Sequence, residues 1–240
     1  MIRYTINQEQ RYARTEWAEL TLGEYLAIAA SDSTNESLCL LSGLTPAEME
    51  HPQAAPIVQA CHALLESEPF GIKPEWLGQK LGGDAIGKME LSRKYLREHE
   101  EPEQAFPFLY AVYRWPEDYD AVYAMSGAGF PAELLEKAKA VPLVEVLGAV
   151  FHIMSEMQEL DKRYGPLLEK EPTEEQYRAG IDRFEKYGFY ATLTSYCSGD
   201  MTRAKELLQL PANVFYTMLC IDTERSDYEE KYREIMSKQG

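Results

Sequence analysis

The side chains that could take part in chemistry are four cysteines, four histidines and two dense groups of carboxylates. Cys61 and His62 are neighbours in sequence, so on a helix they point to different faces. Zinc ligands are usually spaced by a helical turn or a tight hairpin. The cysteines also form no CxxC pair, which favours reduced and buried thiols; they are Cys39, Cys61, Cys197 and Cys220.

The carboxylates cluster around Pro172 and again near the C-terminal end of the chain. They are Glu169, Glu171, Glu174 and Glu175, then Asp222, Glu224, Asp227, Glu229 and Glu230. Neither group has the alternating oxygen ligands and the glycine of a calcium loop. Negative side chains are favoured in the first turn of a helix, and this explains the first group without a metal. The sequence therefore predicts no metal ligand.

Recognisable catalytic and nucleotide-binding patterns are also missing from the sequence. The phosphate-binding pattern GxxxxGK[ST] does not occur, and the glycines at 82, 83 and 87 lack the spacing of a dinucleotide fingerprint. Ser42 and Ser126 each precede a glycine, but neither lies in the GxSxG motif of a nucleophile elbow. We therefore predict no catalytic residue and no cofactor. An enzyme of unrecognised class is the least favoured alternative, since it needs a deep pocket with convergent polar groups.

The charge of the chain limits its partners. It has 24 basic and 40 acidic residues, a net charge of −16, which repels nucleic-acid phosphates and anionic membranes over about 8 Å. The most apolar run, residues 141–154, contains Glu145 and His152 and is too short to span a bilayer. No N-terminal stretch combines a basic start, an apolar run and a small-residue cleavage site, so the sequence does not predict export. We expect a cytoplasmic protein that binds neither nucleic acid nor membrane.

Local patterns predict the elements of the fold. The first residues alternate as in a half-buried strand, with residues 11–17 as the partner strand. Thr21 with Glu24 and Thr45 with Glu48 have the spacing of helix capping boxes. Apolar residues then recur every three or four positions along most of the chain. The sequence predicts a mainly α fold, a bundle of short helices with a small N-terminal β-hairpin.

Two stretches resemble one another. SGLTPAEME at residues 42–50 is similar to SGAGFPAELLE at residues 126–136. We predict two related helical units, residues 17–65 and 103–154, each with a helix, a small-glycine turn, a proline-started helix and a long apolar helix. An old duplication and convergence on common caps both account for the similarity.

The charged run REHEEPEQ, residues 97–104, ends near Pro102 and is typical of a solvated linker. It predicts an N-terminal module of residues 1–102 and a C-terminal helical module of residues 103–240. A weaker break is predicted from Gly165 and Pro166 through Pro172.

The two ends of the chain resemble a known family. WAELTLGEYLAI at residues 17–28 and LCLLSGLTPAEME at residues 38–50 resemble the opening of tail-assembly chaperone-like proteins of tailed bacteriophages. LLQLPANVFYTMLC, followed by SDYEEKYREIMSKQ, is similar to their endings. The resemblance implies a non-enzymatic protein that covers the apolar surface of tail subunits, or of the tail-length-determining (tape-measure) protein, until assembly.

Helical spacing in the last part of the chain gives the candidate partner-binding residues Phe215, Tyr216, Tyr228 and Tyr232. The alternative function is a structural component of the virion, such as a connector or ring subunit. Oligomeric state separates the two functions, because a ring subunit forms closed or permanent assemblies. The expected location is the cytoplasm of a bacterial host or the virion itself.

Overall fold

The computed structural model describes residues 1–6, 9–78, 81–127, 129–168, 172 and 174–239. The fold is mainly α-helical with a small N-terminal hairpin, which confirms the predicted class. The strands are β1 (Ile2–Ile6) and β2 (Glu9–Ala13). The helices are α1 (Leu22–Ala29), α2 (Thr34–Ser42), α3 (Pro46–Met49), α4 (Ala55–Leu65), α5 (Ile86–Glu98), α6 (Phe106–Arg114), α7 (Ala121–Met125), α8 (Ala132–Lys139), α9 (Leu143–Leu168), α10 (Glu174–Ala179), α11 (Phe189–Tyr196), α12 (Ala204–Leu208) and α13 (Ala212–Gln239). Short 3₁₀ turns cover Trp17–Glu19, Pro52–Ala54, Leu81–Gly83, Pro102–Ala105, Ile181–Tyr187 and Met201–Arg203.

The hairpin packs against the turn between α2 and α3, which is the start of the SGLTPAEME stretch. β1 and β2 are antiparallel. The Tyr4 hydroxyl donates to the Ser42 carbonyl at 2.5 Å, and Arg11 donates to the Gly43 carbonyl at 2.5 Å. Gly43 ends α2 with φ of 68°, a left-handed conformation that glycine adopts at little cost. This stretch therefore ends one helix, holds the hairpin and starts the next helix.

The chain forms two compact units. Unit 1 contains Met1–Leu77, Tyr95–Trp115 and Pro131–His152, and unit 2 contains Gly78–Lys94, Pro116–Phe130 and Ile153–Gly240. In unit 1, α6 and α1 both contact α8, and α2 contacts α4. In unit 2, α12 contacts α7 and α11. Fully buried side chains include Leu22, Leu109, Tyr110, Leu143 and Leu147 in unit 1, and Ile86, Met89, Leu91 and Phe215 in unit 2.

This division differs from the predicted modules, residues 1–102 and 103–240. The units are interleaved along the chain, and α5 and α9 each begin in one unit and end in the other. The charged run at residues 97–104 is not a boundary, because both of its ends belong to unit 1. Its exposed charges are followed directly by the buried residues Ala105 and Phe106. A charged run therefore indicates that one face of the chain is exposed to solvent, and it does not by itself mark the end of a structural unit.

In unit 1, the starts of α1 and α9 are held together by a reciprocal pair of backbone hydrogen bonds. The Leu22 N–H donates to the Val141 carbonyl at 3.0 Å, and the Leu143 N–H donates to the Leu20 carbonyl at 2.8 Å. The first four N–H groups of a helix have no partner within the helix. Each helix start therefore gives one of these N–H groups to the segment that precedes the other helix.

Unit 2 repeats this device with α5 and α13. The Ile86 N–H donates to the Leu210 carbonyl at 2.8 Å, and the Ala212 N–H donates to the Asp84 carbonyl at 2.8 Å. The two units are thus built on the same pairing of helix starts. In unit 1, one of the two paired helix starts lies in the first predicted repeat, residues 17–65, and the other lies in the second, residues 103–154. Duplication of those segments stays a hypothesis.

Two helices are longer than the predicted short elements. α9 has 26 residues and α13 has 28. The predicted break, from Gly165 and Pro166 through Pro172, contains the end of α9 at Leu168, and α10 begins at Glu174. Pro166 itself lies inside α9. Proline removes one backbone donor and crowds the preceding turn. Only two residues of the helix follow Pro166, so the helix ends there and does not break into two.

Candidate functional site

The first half of α13 is anchored in unit 2 by its buried face. Phe215 has an exposure of 0%, and its ring lies 5.5 Å, between centroids, from the rings of both Phe189 and Tyr196 on α11. The hydroxyl of Tyr196 donates to Asp222 on α13 at 2.5 Å. Burial, and then this carboxylate, raise the pKa of Tyr196 to about 12. These contacts fix the direction of α13 in unit 2.

A buried polar network holds the same face. The Tyr216 hydroxyl donates to a Glu90 carboxylate oxygen at 2.5 Å, and Arg93 donates to that same oxygen at 2.5 Å. Arg93 also contacts the Tyr216 hydroxyl and Asp161. Burial and the Glu90 charge raise the pKa of Tyr216. Burial alone would lower the pKa of Arg93, but the charges of Glu90, Tyr216 and Asp161 outweigh it and raise that pKa.

The four predicted partner-binding residues divide into two pairs. Phe215 and Tyr216 are 0% and 6% exposed, so they belong to the core of unit 2, and their assignment to an accessible surface is corrected. Tyr228 and Tyr232 are 66% and 51% exposed, and their rings stack with centroids 6.1 Å apart. Their role in binding stays a prediction. Helical spacing alone could not separate the pairs, because a buried and an exposed apolar face have the same period.

A second face of α13 runs along the whole helix and is not covered. We call it the α13 seam. Its spacing alternates between four and three residues, which is the heptad spacing of coiled coils. The seam consists of Val214, Met218, Ile221, Arg225, Tyr228, Tyr232 and Ile235. Of these residues only Met218 is half-buried, and the others are exposed.

The seam is a feature that sequence reasoning missed. Val214, Met218 and Ile221 have the spacing of one short helix, and Tyr228 and Ile235 have that of another. The structure joins these segments into one helix. The signal that would have found the seam is the unbroken 4–3 alternation from Val214 to Ile235, which extends over three heptads.

The cysteine and histidine side chains that were considered for chemistry have the surroundings of structural residues. The Cys61 thiol donates to the Arg14 carbonyl at 3.5 Å, and burial raises its pKa to about 11. Cys39 is half-buried, in contrast to the predicted burial, whereas Cys61, Cys197 and Cys220 are buried free thiols. The Nδ1 atom of His62 lies 3.3 Å from the Glu66 carboxylate one turn away.

Glu169 and Glu171, two members of the first acidic group, lie outside the described residues. Among the residues that are described, no three His, Cys, Asp or Glu side chains are grouped so that they could hold a metal ion. Within the same part of the chain, no helix combines the length and the apolar character needed to cross a membrane.

Unit 2 also contains a cleft of about 650 Å³, between the start of α5, the segment before α7 and the end of α12. Its lysines already have carboxylate partners. Lys205 lies 2.6 Å from Asp120, and Lys88 lies 3.4 Å from Asp84. The Asp120 carboxylate also caps α7, and the Lys205 contact contributes most to lowering the pKa of Asp120.

Comparison with protein-family models, with curated proteins and with solved structures gave no match. The α13 seam is therefore interpreted from its own residues. It combines an anchored start, a long exposed extension and an apolar face with coiled-coil spacing. Chemically, this arrangement can bury apolar surface against another helix.

Proposed function

We propose that this protein is a non-enzymatic protein-binding factor whose α13 seam binds a helix of its partner. The observation that carries the proposal is the exposure of the whole C-terminal end of α13. Every residue from Tyr228 to Lys238 is exposed, yet this segment carries an apolar stripe. The stripe consists of Tyr228, Tyr232, Ile235 and Met236.

Physical chemistry supports a binding role for this stripe. A solvated helix is favoured in water when its faces are polar, and short helices without tertiary contacts are marginally stable. Tyrosine and methionine are enriched at protein interfaces, where a tyrosine ring buries a large area at a small cost in conformational entropy. The stripe gains free energy when a second apolar helix covers it.

The setting that we propose is tail assembly of a tailed phage or prophage. The resemblance of both ends of the chain to tail-assembly chaperone-like proteins supports it. In that role the seam covers an apolar helix of a tail subunit, or of the tail-length-determining protein, until assembly. A net charge of −16 keeps such a binder soluble and steers it towards basic partner surfaces.

A structural subunit of the virion is the second candidate. The length of the seam supports it, because coiled-coil contacts over three heptads suit a permanent interface as well as a transient one. A chaperone leaves its partner when the tail is complete, whereas a connector or ring subunit stays in the particle. Presence of the protein in purified virions would favour the structural role, and absence would favour the chaperone.

Loss of the two exposed tyrosines tests the proposal. We expect the double variant Tyr228→Ser, Tyr232→Ser to bind less tail protein than the wild type, with a reduction of about tenfold or more. The reason is that interface tyrosines often contribute about 1 kcal/mol or more each to the binding free energy. The tagged protein would be purified from cells that express the tail genes beside its own gene. Bound tail proteins would be measured by quantitative mass spectrometry.

Tyr123→Ser is the matched control, since Tyr123 is 62% exposed and lies on α7, which is not part of the seam. It should retain wild-type amounts of the tail protein. Equal retention by the double variant and the wild type, with both folded by circular dichroism, would contradict the role of the seam.

A further inference from the structure

We propose that the α13 seams of two copies of this chain pair with each other as an antiparallel coiled coil, so that the free protein is a dimer. The inference rests on the proposed function in taking the seam as a protein-binding face. It names a second copy as the occupant of that face when no tail protein is present. The register and the charges of the seam carry it.

One antiparallel register brings the apolar seam residues together. A two-fold axis that crosses α13 between residues 226 and 227 places Met218 against Ile235 of the second copy. It places Ile221 against Tyr232 of the second copy. The exposed C-terminal end of each α13 thereby covers the exposed seam on the anchored half of the other α13. Every seam residue from Met218 to Ile235 then lies opposite a seam residue of the second copy.

The one charged residue within the seam fits this register. Arg225 lies opposite Tyr228 of the second copy, and a guanidinium against a tyrosine face is a favourable cation–π pair. Beside this layer, Glu224 lies next to Lys231 of the second copy, and the two-fold axis produces each contact twice. Glu224 and Lys231 are both exposed, so their charges are available to a second chain.

The other flank of the seam brings Asp222 near Glu229 of the second copy, two like charges. Each has a basic neighbour on its own helix. Asp222 lies 3.4 Å from Arg225, and Glu229 lies 3.8 Å from Arg233. This local pairing reduces the repulsion across the interface, while the Glu224 and Lys231 contacts remain attractive.

A parallel pairing of the same seams is disfavoured by the same charges. In register, Arg225 would face Arg225 of the second copy within the interface. Glu224 would lie beside Glu229 of the second copy, which adds a like-charged pair on each side. Charge complementarity therefore selects the antiparallel orientation.

Charge reversal at Glu224 or Lys231, which lie on one flank of the seam, tests both the dimer and its orientation. We expect the wild type to sediment as a dimer at micromolar concentration and low salt. Glu224→Lys or Lys231→Glu alone should each weaken dimerisation about tenfold, because two attractive contacts become repulsive. An equimolar mixture of the two variants should restore the dimer, since both contacts between positions 224 and 231 in the mixed dimer are again between opposite charges.

Glu230→Lys is the matched control, because it makes the same charge change on the outer side of α13 and should leave dimerisation unchanged. Dissociation constants would be measured by sedimentation equilibrium at about 50 and 500 mM salt, where screening should reduce the differences. A wild type that is monomeric at about 100 μM overturns the proposal. A dimer that Glu224→Lys leaves unchanged or tightens overturns it as well.

These outcomes are independent of the proposed function, because they need only the purified protein. A monomeric wild type that retains tail protein overturns the dimer alone. A dimer that retains no tail protein overturns the proposed function alone.

Discussion

Replacing Glu90 by alanine is expected to lower the free energy of unfolding by about 3 to 5 kcal/mol, because it removes one partner of a buried ion pair. Glu90 is 6% exposed and accepts hydrogen bonds from Arg93 and Tyr216. Without this carboxylate, Arg93 keeps its contacts with the Tyr216 hydroxyl and with Asp161, and of these two partners only Asp161, at the edge of the cluster, is charged. The Tyr216 hydroxyl loses its acceptor within the core.

The double variant Glu90→Leu, Arg93→Met is the informative comparison. It removes both charges at similar volume, so it should cost clearly less than Glu90→Ala, as is found when buried ion pairs are replaced by apolar residues. Urea unfolding monitored by circular dichroism measures both variants. A loss below about 1 kcal/mol for Glu90→Ala, or a double variant at least as destabilised, would contradict a coupled buried network.

Gly148→Val should lower the free energy of unfolding by about 3 kcal/mol, the upper part of the range for overpacking in a core. The segment at Gly71 and Ile72 crosses α9 at Gly148, and the Ile72 N–H donates to the Val144 carbonyl at 2.8 Å. A Cβ atom at position 148 would overlap the Ile72 carbonyl and the Lys73 nitrogen. Because these are backbone atoms, no rotamer change relieves the overlap.

Gly83→Ala is the control for this substitution, since a Cβ atom there meets no atom within 4 Å. It should change the free energy of unfolding by less than about 0.5 kcal/mol. Urea unfolding of the two variants side by side checks the prediction. If Gly148→Val is no less stable than Gly83→Ala, the crossing at Gly148 is not as close as the structure shows.

The sequence could predict those features of the fold that depend on residues close to one another along the chain. The boxes of Thr21 with Glu24 and of Thr45 with Glu48 are both present, each with its two reciprocal hydrogen bonds. Gly43 ends α2 in the left-handed conformation. These features depend on residues within one helical turn, so the residue types and their spacing are sufficient to predict them.

Features that depend on distant residues could not be predicted in this way. The interleaving of the two units depends on which helix start pairs with which other helix start. The pairing of Thr21 with Pro142 uses backbone groups that any residue can supply, so the residue types do not predict it. The burial of Phe215 and the exposure of Tyr228 follow from how far along α13 the rest of unit 2 packs against the helix, not from the local pattern. Of the four predicted partner-binding residues, Tyr228 and Tyr232 are therefore exposed, whereas Phe215 and Tyr216 are buried.

Photocrosslinking from the seam tests the central claim most directly. The variant Tyr232→p-benzoylphenylalanine would be irradiated in cells that assemble tails, with Tyr123→p-benzoylphenylalanine as the control, and the adducts identified by mass spectrometry. The account predicts protein adducts from position 232, to a tail protein or to a second copy, and none above background from position 123. Adducts from position 123 together with none from position 232 would contradict a protein-binding role for the α13 seam.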